Sequence, residues 1–317
     1  MPDDHDFQIL ALDGGGIRGL FSAAVLAALE EDLKTKVVDH FDLIAGTSTG
    51  GIIAVGLGLG MRPREIVEFY LRYGAKIFRD PFGARSVRQW FRAKHPAGPL
   101  AQALREVLSD RLFGQSTKRL VIPTYNLGED DVYIFRTPHH KDLRRDRRVP
   151  AWKVALATAA APTFFASCRD VDGLRLIDGG VWANNPAMVA LVEAFGTLEV
   201  ALERIRMLSI GTYDAVISRP KRLDGGGKLA WALGSTAVDV LMRAQSIGVN
   251  NQSRFLLGKE RFVRIDPKVS SGEVVLDEPS KAGELIGRAA HHSRTHMPDI
   301  ARKFCNHSAA QYEPLPL

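Results

Sequence analysis

Gly46-Thr47-Ser48-Thr49-Gly50 is the stretch of this chain with the fewest structural options. It follows the apolar run Phe41-Asp42-Leu43-Ile44-Ala45 and precedes Gly51-Ile52-Ile53-Ala54-Val55. A strand that enters G-x-S-x-G and leaves as a helix predicts a nucleophile elbow, with the serine oxygen held out above the end of a sheet. Ser48 then sits at a helix N-terminus, where free N–H groups and the positive dipole end favour developing negative charge. A bare G-x-S-x-G also occurs as an ordinary turn. The strand–turn–helix setting favours the elbow here.

A second glycine cluster supports it. Phe7-Gln8-Ile9-Leu10-Ala11-Leu12 reads as a short buried strand. It runs into Asp13-Gly14-Gly15-Gly16-Ile17-Arg18-Gly19, and Val25, Leu26, Leu29 and Leu33 then fall at helical spacing over 20–33. Consecutive glycines bring a backbone close to a ligand and aim successive N–H groups into one concavity, which suits an oxyanion or a phosphate. Gly14, Gly16 and Gly19 also match the dinucleotide fingerprint G-x-G-x-x-G, with Asp39 near the place of its ribose-binding acid. That rival needs a second strand at Lys36-Val37-Val38, a poor candidate, and it leaves an elbow serine without a use.

The third element is Leu174-Arg175-Leu176-Ile177-Asp178-Gly179-Gly180-Val181. Its alternation predicts a strand that delivers Asp178 into a Gly-Gly turn, and Asn184-Asn185-Pro186 opens a further helix. Alone, Asp-Gly-Gly is a common turn. After an elbow and a glycine loop, Asp178 becomes the candidate base.

DGGGIRG, GTSTG and DGG, in that order, resemble the patatin-like phospholipase family, related to the cytosolic phospholipase A2 catalytic fold. The likeness covers about the first two-thirds of the chain. It includes Ala157-Thr158-Ala159-Ala160-Ala161-Pro162-Thr163-Phe164-Phe165 before the aspartate strand and Leu208-Ser209-Ile210-Gly211-Thr212 after it. Within the family, the segment from Val121-Ile122-Pro123-Thr124 through Thr137-Pro138-His139 is most similar to bacterial effectors of antiphage signalling, phospholipases switched on by cyclic nucleotides.

The resemblance implies a Ser48–Asp178 dyad without histidine, hydrolysis of fatty-acyl esters of membrane glycerophospholipids, and an acyl-serine intermediate. An ordinary aspartate, with a pKa of about 3.9, is a feeble base, so burial among groups such as Ile177 and Val181 is expected to raise it. Gly14, Gly15 and Gly16, with Thr49, are the expected oxyanion-hole residues. Arg18 would neutralise a lipid phosphate or brace the loop. No metal or cofactor is called for. A Ser-Asp-His triad would instead need His291, His292, His296 or His307, which fall in a polar helical stretch. A further rival is a nucleotide-binding sensor without hydrolase activity, which leaves Ser48 and Asp178 unexplained.

The expected architecture is a three-layer α/β/α fold with a mostly parallel central sheet. Residues 1–223 form the catalytic core. Residues 224–317 form a C-terminal portion packed on the same domain, with a helix over 229–257, a strand over 261–265 and a last helix over 280–305. Asp224-Gly225-Gly226-Gly227 is the best hinge between the two. The C-terminal portion carries no chemical motif, so packing and assembly are its expected roles.

With 317 residues and 45% hydrophobic content the chain can bury a large core. Residues 1–6 are acidic and lack an apolar signal region, and no apolar run reaches the ~18–20 residues of a membrane span. The expected location is cytoplasmic, peripheral at the inner membrane when active. Cys168 and Cys305 are too few for a disulfide framework and read as free thiols. The formal net charge of +6 suits an anionic partner. Residues 85–94, with Trp90 and Phe91 among cations, fit either a helix on anionic headgroups or a solvated helix. Residues 141–148 read as a solvated loop or a grip for an anionic activator. Neither belongs to a DNA- or RNA-reading motif. The effector likeness implies activation by a cyclic di- or oligonucleotide that changes assembly state, and so a homo-oligomer.

Overall fold

Near-continuous apolar runs in the central strands dictate a sheet covered on both faces. The computed structural model describes residues 6–77, 97–213, 215–216, 223–225, 227, 236–270, 282–306, 308–310 and 312–314. Residues 85–94 and His307, and the starts expected for the helices at 229 and 280, lie outside them.

Phe7–Leu12 is β1, Leu43–Gly46 is β2, Arg119–Asn126 is β3 and Asp131–Arg136 is β4. Leu176–Asp178 is β5, Ile205–Ile210 is β6 and Phe262–Ile265 is β8. These seven strands form one sheet in the order β4-β3-β2-β1-β6-β8, with β5 also pairing β3. β3, β2, β1, β6 and β8 are parallel neighbours, while β4 and β5 run antiparallel to β3. Ala215–Val216 (β7) and Val269–Ser270 (β9) make a separate parallel pair.

The helices are Gly19–Leu33 (α1), Thr49–Gly58 (α2), Pro63–Ile77 (α3), Gly98–Leu108 (α4) and Ala151–Thr158 (α5). Gly180–Ala183 (α6), Ala187–Val192 (α7), Thr236–Arg261 (α8) and Ala282–Phe304 (α9) follow.

Side-chain parity along the strands sorts the core into two halves. Leu10, Leu12, Ile44, Leu120, Ile122, Leu208 and Ile265 face α1 to α5 and α9. Ile9, Ala11, Leu43, Ala45, Val121 and Met207 face α7 and the C-terminal part of α8. The result is a three-layer α/β/α arrangement around a mostly parallel sheet. Each fully buried leucine contributes roughly 1.5–3 kcal/mol, so truncating Leu10 to alanine would cost about 2–5 kcal/mol. α1 is buried nearly all round because α9 covers its outer side, and it ends where Lys34 turns left-handed at φ 52°.

The fold bears on three expectations. The strand expected from Leu174 to Asp178, before the Gly-Gly turn, is ordered as a strand only at Leu176–Asp178, where β3 pairs with it through Thr124 to Asn126. The poor strand at 36–38 is a short 3-10 helix, Val37–His40. Asp39 therefore precedes β2, at the end of the sheet opposite the glycine loop that follows β1. That excludes the dinucleotide reading, which needs its acid beside the glycines. Finally, the C-terminal portion does more than pack around the core: β8 pairs with β6 within the central sheet.

Among the described residues no helix is long and apolar enough to cross a membrane.

Candidate active site

β2 ends at Gly46, and the chain reverses through Thr47 and Ser48 into α2. Ser48 adopts φ 56°, ψ −123°, a conformation that L-residues hold only when their surroundings impose it. The surroundings are close-packed backbone. A Cβ on Gly46 would lie 2.2 Å from the Gly50 carbonyl oxygen, and one on Gly50 would lie 2.2 Å from that of Leu12. Glycine at both places is therefore a steric requirement of the elbow. Thr47 donates its hydroxyl to the Ala183 carbonyl at 2.6 Å, and the Ser48 N–H donates to Thr158 Oγ1 at 3.0 Å. The Thr158 hydroxyl in turn donates a hydrogen bond to the Pro123 carbonyl at 2.7 Å.

Ser48 and Asp178 come together from 130 residues apart in the sequence, with Ser48 Oγ donating to Asp178 Oδ2 at 2.6 Å. The other carboxylate oxygen, Oδ1, accepts the Gly180 N–H at 2.6 Å, and the Asp178 N–H donates to the Ala160 carbonyl at 3.0 Å. Gly179 has no room for a side chain, because a Cβ would meet the Pro123 oxygen at 2.2 Å. Asp178 is 2% exposed and Ser48 7%. Burial pushes the Asp178 carboxyl up to about 7, with the hydrogen bonds from Ser48 and Gly180 acting in the opposite direction. Of the expected shielding residues, Ile177 is half-buried, and Val181, 36% exposed, lines the same cleft as Asp178. Thr124 of β3 stands opposite Asp178 in the sheet, and α6 begins two residues after it at Gly180.

The glycine loop lies alongside. The Gly15, Gly16 and Thr49 N–H groups find no acceptor among the described residues, and all three residues line the same cleft as Ser48. Gly14 departs from expectation. Its N–H already donates to the Asn184 carbonyl at 3.0 Å, so it is not an open donor. Arg18 Nε donates to the Gly15 carbonyl at 3.4 Å, and Arg18 is not among the residues that line the cleft. Of its two expected roles, the contact matches bracing the loop. Away from the polar floor the cleft is apolar, walled by Ile52, Phe69, Ile77, Leu100, Phe164 and Met242. Tyr70 adds a buried phenol that donates to the Thr49 carbonyl at 3.3 Å.

Among the described residues no histidine approaches either group. His292 packs against Phe21 and Tyr213 under α9, and the buried His139 contacts Thr137 and Glu193. No group of three or more His, Cys, Asp or Glu side chains converges among the described residues to hold a metal. In the basic run at 141–148, Arg145 is committed to Asp146 at 2.8 Å and lies over the Tyr133 ring. Cys168 and Cys305 are free thiols.

Sequence patterns missed two contributors. Thr158 lay inside the quoted Ala/Pro stretch without an assigned role, although its position before Pro162 was visible. Arg264, on β8, forms a bidentate pair with Asp13 at 2.8 and 2.6 Å. Nothing local to Arg264 signals that contact.

A hydroxyl hydrogen-bonded to a buried carboxylate of raised pKa, beside open N–H groups and an apolar cleft, is suited to acyl transfer. Comparison with known proteins points the same way. Residues 10–191 match the model of the patatin-like phospholipases. A cGAMP-activated phospholipase of Pseudomonas aeruginosa is 36% identical over 83% of this chain and 79% of its own length. One from Vibrio cholerae is 33% identical over 87% of this chain and 86% of its own. Patatin-like protein 1 of Arabidopsis thaliana is 30% identical over 84% of this chain and 75% of its own. A family match across more than half the chain, together with relatives aligned over most of their length, places this protein among the patatin-like phospholipases, in relation to the cGAMP-activated ones.

Proposed function

We propose that this protein hydrolyses fatty-acyl esters of membrane glycerophospholipids, as a phospholipase of A1/A2 type, through Ser48 as nucleophile and Asp178 as its only base. The observation that carries the reading is the 2.6 Å contact between Ser48 Oγ and a carboxylate whose pKa burial raises to about 7. Asp178 Oδ2 takes the hydroxyl proton as Oγ attacks the ester carbonyl carbon. The oxygen that becomes negative is held by the N–H groups of Gly15, Gly16 and Thr49, at the positive end of α2. When the tetrahedral species collapses, the leaving glyceryl oxygen receives the proton from Asp178, and the lysophospholipid departs. Asp178 then takes a proton from water, whose oxygen attacks the acyl-serine. Oγ leaves with that proton, releasing the fatty acid and restoring the starting state.

The direct geometry explains why no histidine is required. A base must lie within reach of the proton and have a pKa near the working pH. The raised pKa supplies for Asp178 what an imidazole has without perturbation. The apolar walls suit the acyl chain, since each methylene moved out of water contributes about 0.8 kcal/mol.

We further propose activation by a cyclic dinucleotide, on the strength of relatives described as cGAMP-activated phospholipases at 36% and 33% identity. The activator acts on a protein that meets the bilayer from the cytoplasmic side and assembles with copies of itself. Release of fatty acid from phosphatidylethanolamine and phosphatidylglycerol liposomes, with and without cGAMP, tests both halves. Wild-type activity that rises with cGAMP and is absent from Ser48→Ala supports the whole reading. Equal release by the two proteins removes the hydrolase assignment. Hydrolysis indifferent to cGAMP and to other cyclic di- and oligonucleotides removes the activation.

A further inference from the structure

The glycine loop is preceded by a buried anion that has to be kept away from it. Asp13 is 3% exposed and immediately adjoins Gly14-Gly15-Gly16. Arg264 Nη1 and Nη2 donate to its two carboxylate oxygens at 2.8 and 2.6 Å. The same guanidinium donates to Ser209 Oγ at 2.7 Å and to Asp266 Oδ2 at 3.0 Å. Space is tight here as well: a Cβ on Gly211 would meet Asp266 Oδ1 at 2.2 Å and Arg264 Nη2 at 2.8 Å. The main chain entering the loop is tied down at Asp13 and Gly14, and further on the Gly15 carbonyl accepts from Arg18 N at 3.2 Å. Asp13 N donates to the Ile210 carbonyl at 3.0 Å, and Thr212 Oγ1 donates to the Gly14 carbonyl at 3.2 Å.

An aspartate released in this position has a competing partner close by. Asp side chains readily accept the N–H two residues on, forming an Asx-turn. For Asp13 that N–H belongs to Gly15, an open donor in the cleft. An uncompensated carboxylate would also repel a negative charge developing on the substrate. A planar guanidinium that engages both carboxylate oxygens at once removes both problems.

We propose that Arg264 is a positioning residue for the reaction: by holding Asp13 in a bidentate grip, it keeps the Gly15 and Gly16 N–H groups directed at the substrate oxyanion. The inference rests on the reading of this loop as the oxyanion site. It gives the C-terminal residues 262–266 a part in the chemistry, beyond the packing and assembly expected of them.

The test uses the full-length protein with cGAMP present and a soluble 4-nitrophenyl acyl ester as substrate. Turnover, KM and melting temperature are measured together. So is the affinity for a trifluoromethyl ketone carrying the same acyl chain, which forms an oxyanion on Ser48. For Arg264→Gln the expected loss is about 10²-fold in kcat, the scale of one oxyanion donor. KM should stay within about twofold and ketone affinity should fall in step with kcat. Arg264→Lys keeps the cation but not the fork, and should lose about tenfold as a second, milder variant. In Asp13→Ala/Arg264→Leu the competing carboxylate is gone, so kcat should recover at least about tenfold over Arg264→Leu alone. An Arg264 variant that melts normally and keeps kcat and ketone affinity within about threefold of wild type overturns the proposal. Loss of kcat that merely follows the unfolded fraction, with unchanged ketone affinity per folded molecule, also overturns it. If wild type and Ser48→Ala hydrolyse the ester equally, the hydrolase reading falls and this inference with it. An active wild type with indifferent Arg264 variants refutes the inference alone.

Discussion

Replacing Asp178 with asparagine should abolish hydrolysis and at the same time make the protein more stable, by an amount that grows with pH. Asparagine keeps the shape: its Oδ1 can accept the Gly180 N–H, and its amide can donate to Ser48 Oγ. What it removes is a buried charge. The folded-state pKa of Asp178 stands at about 7, against an ordinary value of 3.8, because burial disfavours the ionised form. Between those values the folded state binds a proton that the unfolded chain has lost. The aspartate therefore contributes stability that is fully present below about pH 4 and is lost as pH rises through about 7. At about 1.36 kcal/mol per pH unit, the interval from 3.8 to about 7 makes the total about 4 kcal/mol. Relative to asparagine, the penalty should be about 2 kcal/mol at pH 5 and about 4 kcal/mol at pH 8. Urea denaturation of wild type and Asp178→Asn at both pH values measures the gap directly. A variant no more stable than wild type at pH 8 would show that the carboxylate is not held at a cost. A gap that does not change with pH would show that ionisation has no part in it.

The same group predicts the pH–rate profile. For a soluble ester, kcat/KM should rise about tenfold per pH unit below about 7 and level off above it, and a limb ending near pH 5 would contradict Asp178 as the base. Gly15→Ala should reduce turnover at least about 10²-fold, because the new Cβ would lie 2.2 Å from Thr212 Oγ1 and the loop must move; kinetics on a soluble ester decide this. Ser48→Gly should exceed Ser48→Ala in stability by about 1 kcal/mol, since only glycine is unstrained at φ 56°. Thermal melts of the two inactive proteins would show the difference, and equal midpoints would remove the claim of backbone strain.

What the sequence displayed plainly was whatever is written within a single turn of chain. The strand at 7–12, the helix after the glycine loop and the elbow around Ser48 all sit where local pattern puts them, because apolar period and glycine placement are short-range signals. Asp178 was visible for the same reason, lying next to a Gly-Gly turn that the Pro123 carbonyl makes obligatory. The failures share a different cause. Gly14 lost its donor to the carbonyl of Asn184, 170 residues away, and no feature of Asp13-Gly14-Gly15-Gly16 separates it from its neighbours. Arg264 meets Asp13 across 251 residues, and Thr158 meets Ser48 across 110. In both pairs an ordinary polar residue acquires its role only once the tertiary fold brings distant parts of the chain together: strand β8 for Arg264 and the end of helix α5 for Thr158.

Those long-range contacts explain how the site persists at all. The elbow holds Ser48 in an unfavourable conformation, Asp178 keeps a carboxylate out of water, and the Gly15 and Gly16 N–H groups have no acceptor among the described residues. Each opposes folding, by of order 1–3 kcal/mol for backbone strain or an unmade hydrogen bond. None would survive in a loosely packed loop, which would relax to satisfy them. The sheet prevents that relaxation by ending β1, β2 and β6 side by side, so that the chain leaving each strand is pinned by its neighbours. Asp13 N is tied to Ile210, Thr47 N to Leu12, and Arg264 on β8 locks Asp13 from the outer side. Under the proposed mechanism substrate would relieve what the fold imposes, with an oxyanion supplying acceptors to the open N–H groups and an acyl chain filling the apolar cleft. Catalytic competence and local instability at this site therefore have one origin, and substitutions that ease the second should remove the first.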